Sequence, residues 1–443
     1  MFPKLTTNIP GPVSLKLSEE LKKYESRNVT YTADDWPVFW ERAEGVNIWD
    51  ADGNRFLDLT SAFGVAGLGH GWSAAAMRKQ SESLIHGMGD VHPTALKVDV
   101  CRKLSAMTYE RWEDKFGKTI LSNSGSEAVE SALKTALMVT GKAGVISFKN
   151  SYHGLGYGAL LGGGMEKFRE PFESQLAPLR HVLDFPDGRP EALAKLVEQL
   201  SALDASEIGA LIVEPIQGRA GKLVPPDGFL ALLRSWCDNF NIVLIFDEIY
   251  SGFNRTGDLF ACEHEGVVPD LICLGKSMSG GFPISACVGR AAVMDAWPES
   301  PGEALHTSTF LGNPVGCAMA SASLDEHILP SVRKRVSTTG DLLRSGLESL
   351  DHPLVYEVRG RGLMLAVELR NEDGSSAGDL AGVVLSDMLQ RGIIMLADGV
   401  DGNVLAFTPP FDLSEEEIEF IIHQVRNAIS SSVYQLAERE NNE

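Results

Sequence analysis

Ile242-Val-Leu-Ile-Phe-Asp-Glu-Ile249 opens with five apolar residues and turns acidic, and Asp270-Leu-Ile-Cys-Leu-Gly-Lys276-Ser-Met-Ser-Gly-Gly281 follows with a shorter apolar run that leads into a lysine. Unbroken apolar runs of this length suit strands buried on both faces, as in parallel sheets covered by helices. Each run delivers one ionisable residue, Asp247 and Lys276, where the pattern changes from apolar to polar. A carboxylate and an amine presented from neighbouring strand ends can hold a protonated pyridine ring and join its aldehyde as a Schiff base. Pyridoxal phosphate needs both.

Outward from this pair, other β-rich runs alternate with helical stretches: Lys118-Thr-Ile-Leu, Gly144-Val-Ile-Ser-Phe and Ala210-Leu-Ile-Val. The alternation predicts an α/β fold, a large domain with a mostly parallel sheet covered by helices. Asp52-Gly-Asn between two alternating runs, Val46 to Leu59, predicts a hairpin. Leu193, Leu196, Val197, Leu200 and Leu203 recur at helical spacing from Pro190 to Ala205 and predict a packed amphipathic helix. A strand-like stretch from Val355 to Leu369 marks a smaller α+β domain, in which Ser414 caps a helix opening with glutamates. The expected division is an N-terminal segment 1–60 packing with the small domain, a large domain 61–320 and a small domain 321–443, with a frayed tail from Ala437.

The chain has 443 residues, 44% of them hydrophobic and 22% charged, as expected of a globular enzyme. A formal charge of −21 argues against nucleic-acid partners and anionic membranes, since both need a basic face. No apolar run approaches membrane-spanning length, and the first residues lack the pattern of a signal peptide. The six cysteines form no CxxC pair, which suggests reduced thiols and a cytoplasmic location. The ten histidines show no metal-ligand spacing, so no metal is expected. Gly67-Leu-Gly-His-Gly and Gly154-Leu-Gly-Tyr-Gly read as turns, because neither follows a clean strand and opens a helix.

Further candidates sit at strand ends. In Ser122-Asn-Ser-Gly-Ser-Glu-Ala, the N–H groups of Gly125 and Ser126 with the hydroxyls of Ser124 and Ser126 would face a phosphate at a helix N-terminus; a plain helix cap is the competing reading. Tyr152 offers a ring that could lie on a cofactor, or pack in a turn. Glu214 ends the Ala210 strand where such folds bind ligands, or is a solvated acid. Asp247, inside an apolar run, needs a cationic partner. Lys276 near apolar walls would carry a lowered pKa; otherwise it snorkels to the surface.

Taken in order, Ser124-Gly-Ser-Glu-Ala, Tyr152-His-Gly, Glu214-Pro-Ile-Gln-Gly, Asp247-Glu-Ile-Tyr-Ser-Gly-Phe-Asn-Arg-Thr-Gly, Lys276 and Thr309-Phe-Leu-Gly-Asn-Pro resemble the class III aminotransferases, pyridoxal-phosphate enzymes of fold type I. The likeness runs from about Phe39 to Leu413. It implies that Lys276 is the Schiff-base lysine and proton carrier, and that Asp247 is the partner of the pyridine nitrogen. Ile249 and Tyr152 would pack on the two ring faces, and Gly125 and Ser126 would form the phosphate cup. Thr309 would reach the phosphate of a neighbouring subunit, which implies a homodimer. Glu214 matches an acid near the substrate, and Phe63 falls among the substrate-lining candidates.

Three positions depart from the family. Tyr250 stands where many members carry a Gln that contacts the cofactor's phenolic oxygen. Arg219 stands where many carry an acid, and reads either as a carboxylate or phosphate clamp or as a surface charge. Ala406 stands where 4-aminobutyrate and ornithine aminotransferases carry an arginine for the substrate's α-carboxylate. That carboxylate is then met elsewhere, for instance by Arg219, or one substrate lacks it. The expected activity is an EC 2.6.1.- amino-group transfer between an amine or amino acid and a keto acid or aldehyde. Asn403-Val-Leu-Ala-Phe-Thr-Pro-Pro also resembles class III racemases and epimerases, which is the alternative reading.

Overall fold

The computed structural model describes residues 1–440, and the last three residues of the expected tail lie outside the described residues. Two compact units divide the chain: Met1–Trp72 with Thr338–Arg359 and Leu363–Glu443, and Ser73–Ser337 with Gly360–Gly362. The sequence reading puts the boundaries after residues 60 and 320; this division falls at 72 and 337. Ala437 to Glu440 are not frayed but continue the helix Glu415–Glu440.

The larger unit is built on seven strands, β1 Gly117–Ser122, β2 Gly144–Phe148, β3 Arg180–Leu183, β4 Ile208–Val213, β5 Val243–Asp247, β6 Leu271–Leu274 and β7 Ser285–Arg290. Their order across the sheet is β1-β7-β6-β5-β4-β2-β3. Strands β3, β2, β4, β5 and β6 pair in parallel, while β7 runs against both β6 and β1. Strand β1 therefore points the same way as the parallel set, and six strands end at one edge.

Strand β5 shows why an unbroken apolar run is needed. Leu244 and Phe246 join one buried cluster, Val243 and Ile245 the other, so successive side chains feed opposite cores. Helix α1, Gly125–Thr140, covers the second face through Ala128, Val129, Ala132 and Leu133. Helix α2, Phe229–Phe240, covers the first through Phe229, Leu230 and Leu233. Asp247 continues the odd-numbered series and so comes out on the face where α1 begins. The Pro190–Ser201 helix forms as its periodicity predicts, burying Leu196 and Leu200, with Val197 left exposed.

In the smaller unit, Asn47–Asp50 and Arg55–Asp58 pair antiparallel across the expected turn. Asp50 fixes that turn by accepting from the N–H groups of Asp52 and Asn54. A second sheet joins Val355–Arg361, Met364–Leu369, Val404–Phe407 and Leu396–Asp398. Ser414 and Glu417 cap the last helix reciprocally, Glu417 N–H to Ser414 Oγ at 3.2 Å and Ser414 N–H to Glu417 carboxylate at 3.0 Å.

Candidate active site

Five strand ends bring the sequence candidates to one edge of the large sheet. Strand β5 ends on Asp247, and β6 is followed by Gly275 and Lys276. Strand β4 delivers Glu214, β2 leads to Tyr152, and β1 leads through Asn123 into Ser124 at the start of α1. This is the edge at which open α/β sheets bind ligands.

Asp247 is buried, and its two oxygens are engaged differently. Oδ1 accepts the Ile249 N–H at 3.1 Å, and Oδ2 lies 2.7 Å from His153 Nδ1. Burial works against a charged His153, but its hydrogen bond to Asp247 and the charges of Asp247 and Glu214 outweigh that and hold its pKa above the usual value. His153 Nε2 is buried without a protein partner among the described residues. Asp247 is thus backed by an imidazole whose protonated form its own carboxylate favours. Sequence reasoning treated Tyr152-His-Gly for its tyrosine only and missed this pair.

Glu214 accepts the Tyr152 N–H at 2.8 Å and the Gly218 N–H at 2.9 Å. Burial pushes its carboxyl above the ordinary range, and Asp247 adds to this, against the His153 charge and the two N–H donors.

Lys276 adopts a left-handed backbone, φ +46°, a conformation that costs a non-glycine residue energy and clusters at functional positions. The strain is held by its neighbours: Ser277 O accepts from Ser323 Oγ at 3.0 Å and lies 3.2 Å from His327 Nε2. Burial lowers the Lys276 pKa to about 8; Asp247 and Glu214 oppose the shift, and Lys222 and Arg219 reinforce it. The amine lies 4.5 Å from the centre of the Tyr250 ring.

Lys222, a second residue the sequence reading missed, is fully buried. Its Nζ lies 4.4 Å from the same Tyr250 ring centre and 3.2 Å from the phenol oxygen. A lysine between Gly221 and the apolar Leu223-Val224-Pro225 was the available signal. Arg219 is exposed, its guanidinium 4.8 Å from the ring centre of Tyr152 and 5.3 Å from that of Phe168.

The start of α1 is prepared for close approach. A Cβ on Gly125 would come 2.8 Å from Ile249 Cδ1 and force that side chain to shift, and one on Gly154 would come 2.7 Å from Ser126 Cβ at a φ of +110°. The first-turn N–H groups of a helix have no intrahelical acceptor and sit at its positive end. Ser124 Oγ accepts the Glu127 N–H at 3.3 Å and Ser126 Oγ the Gly156 N–H at 3.0 Å, so both hydroxyls also serve the protein. Thr309 is exposed in the loop before Pro314, next to Ser308, whose Oγ accepts from Asn123 Nδ2. Phe63 and Ala406 belong to the other unit. Phe63 is exposed in a turn where Ser61, Ala62 and Phe63 all have positive φ, and Ala406 is buried in its strand between Ala366 and Leu396.

An amine of lowered pKa, a carboxylate backed by an imidazole and the glycine start of a helix meet the three needs of pyridoxal phosphate: its aldehyde, its pyridine nitrogen and its phosphate. The residues present fit the group. Among the described residues no cluster of His, Cys, Asp and Glu could hold a metal ion, and no helix is long and apolar enough to cross a membrane.

Residues 29–429 match the model of the family described as aminotransferase class-III. The chain is 35% identical over 435 residues to a 4-aminobutyrate aminotransferase of Mycobacterium leprae, covering 93% of this chain and 95% of the relative. An aminotransferase of Bacillus anthracis superposes with a TM-score of 0.87 at 26% identity, covering 94% of this chain and 98% of the other. The ornithine aminotransferase of Toxoplasma gondii, described with PLP at its active site, superposes with a TM-score of 0.81 at 30% identity, covering 95% of each chain. This chain belongs to the class III aminotransferases, of fold type I. It is a pyridoxal-phosphate-dependent aminotransferase (EC 2.6.1.-), and nothing in these likenesses favours the racemase alternative.

Proposed function

We propose that Lys276 and Asp247 are the reacting pair of this enzyme and that the residues around them hold the cofactor. The observation that supports this most is the placement of an amine of lowered pKa and a buried carboxylate at adjacent strand ends. When bound, pyridoxal phosphate supplies an aldehyde that takes up an amine and a ring that draws electrons from the broken C–H bond. Lys276 Nζ would be the amine that holds the cofactor's aldehyde. With a pKa near 8, the freed Nζ takes the proton from the substrate carbon and gives it back within the site. Asp247, hydrogen-bonded to His153, would pair with the pyridine nitrogen.

Tyr152 and Ile249 would hold the ring, and the N–H groups of Gly125 and Ser126, with the Ser124 and Ser126 hydroxyls, would hold the phosphate. Glu214 stands near the substrate, held to two N–H groups. Thr309 serves the phosphate of a neighbouring subunit in a homodimer, which its exposure supports. A cytoplasmic location belongs to the same reading, supported by six unpaired thiols.

Borohydride reduction of the loaded protein followed by peptide mass spectrometry tests the lysine. The pyridoxyl mass is expected on the Lys276 peptide and absent in Lys276→Ala; its appearance on another lysine overturns the assignment. For the dimer, light scattering should give twice the 48.0 kDa chain mass.

A further inference from the structure

The chain between Glu214 and Leu223 is an unusually constrained loop. Gln217 and Leu223 exchange backbone hydrogen bonds at 3.1 and 3.0 Å, and Gly218 O accepts from the N–H groups of Gly221 and Lys222 at 3.2 and 3.1 Å. Gln217 Nε2 donates to Lys149 O at 2.8 Å, and Glu214 takes the Gly218 N–H. Gly221, at φ +111°, and Lys222, at φ +57°, both take positive φ, which at Gly221 suits a residue with no side chain. The loop is therefore tied at its base and across its middle, and Arg219 stands at its tip.

Arg219 is fixed by aromatic faces rather than by acid. Its guanidinium lies over the Tyr152 and Phe168 rings, which meet edge to face at 5.8 Å. Among the described residues no carboxylate lies within ion-pair distance of it, although the chain carries 60 acidic residues. Glu214, the acid nearest along the loop, spends both oxygens on backbone donors. The positive charge is nevertheless felt at Lys276 Nζ. A planar cation stacked on rings keeps its donor edge open, and that edge matches the two oxygens of a carboxylate. Stacking also limits the rotamer freedom lost when an anion binds.

We propose that Arg219 receives the carboxylate of the amino-acid donor or keto-acid acceptor, so that this enzyme prefers substrates bearing a carboxylate to amines that lack one. The proposal rests on the cofactor site set out above. Arg219 acts by binding and takes no part in proton transfer.

Two donor pairs that differ by a methyl in place of the carboxylate read the preference: alanine against 2-aminopropane, and 4-aminobutyrate against butylamine. The kcat/KM ratio within each pair is measured on cofactor-loaded wild type, Arg219→Ala and Arg219→Lys. Butyrate binding to the same proteins, without a donor, is measured by calorimetry and tests the proposal even where neither pair turns over. Loss of a charge-assisted bidentate contact should cut the ratio of at least one pair and the butyrate affinity by about 10- to 100-fold in Arg219→Ala, with Arg219→Lys between. Ratios and butyrate affinity within about twofold of wild type, on normally loaded protein, overturn the Arg219 assignment and leave the cofactor site standing. Loss of cofactor from Arg219→Ala overturns it too, since the residue would then serve the cofactor. A wild-type protein that fails to load overturns both.

Discussion

Cofactor capture by the cofactor-free protein should follow the titration of Lys276, because only the neutral amine can attack an aldehyde. Burial brings this lysine from 10.5 to about 8. Each unit is a factor of ten in the neutral fraction, so at pH 7 about one tenth of the molecules are ready, roughly 300-fold more than for an ordinary lysine. The capture rate, followed by stopped-flow absorbance, should rise about tenfold from pH 6 to 7 and level off above pH 8. Two substitutions give opposite signs. Asp247→Asn removes the charge that holds the Lys276 pKa up and should move the midpoint down; Lys222→Met removes one that holds it down and should move it up. A rate flat from pH 6 to 9, or a downward shift in Lys222→Met, would refute the electrostatic account.

Glu248 is fully buried, accepts from Ser251 Oγ and the Ala261 and Cys262 N–H groups, and is pushed by burial up to about 7. A raised carboxyl pKa stabilises the fold below the unfolded value and loses that contribution as pH rises through the folded one. Between pH 6 and 8 the unfolded state gains about twice as much from ionisation as the folded state, so stability should fall by about 1 kcal/mol, a slope that urea unfolding should find flattened in Glu248→Gln. Gly125→Ala would drive a methyl into Ile249, and equilibrium dialysis should show cofactor affinity reduced at least about tenfold. His153→Phe should likewise weaken cofactor binding, since Asp247 loses the partner that keeps its charge stable in the core.

The inner parallel strands were legible because they are buried on both faces, which writes itself as unbroken apolar runs such as Ile242 to Phe246, whereas the half-buried edge strand Arg180–Leu183 and the antiparallel Ser285–Arg290 were not read. Residues at the ends of those runs were legible for the same reason: a charge closing an apolar run stands out. The hairpin at Asp52-Gly-Asn and the cap at Ser414 came from local chemistry within a few residues. His153 escaped because its partner lies 94 residues away, and no local pattern records that pairing. Lys222 escaped because the turn around Gly218 buries it, while lysines are ordinarily exposed. For Ser124 the sequence left phosphate donor and helix cap open, and the cap is realised. Arg219 stayed open because a carboxylate clamp and a surface charge share one letter; its seat on Tyr152 and Phe168 is what supports the clamp proposed above.

A single-turnover experiment bears most directly on the central claim. Loaded wild-type protein is mixed with an amino donor and no keto acid, and carbonyl product is counted against active sites. One product per site is expected, with none from Lys276→Ala, because Lys276 must move the proton once before the amino group stays with the enzyme. Loss of the donor's optical rotation without any carbonyl product, or product at the wild-type rate from Lys276→Ala, would contradict it.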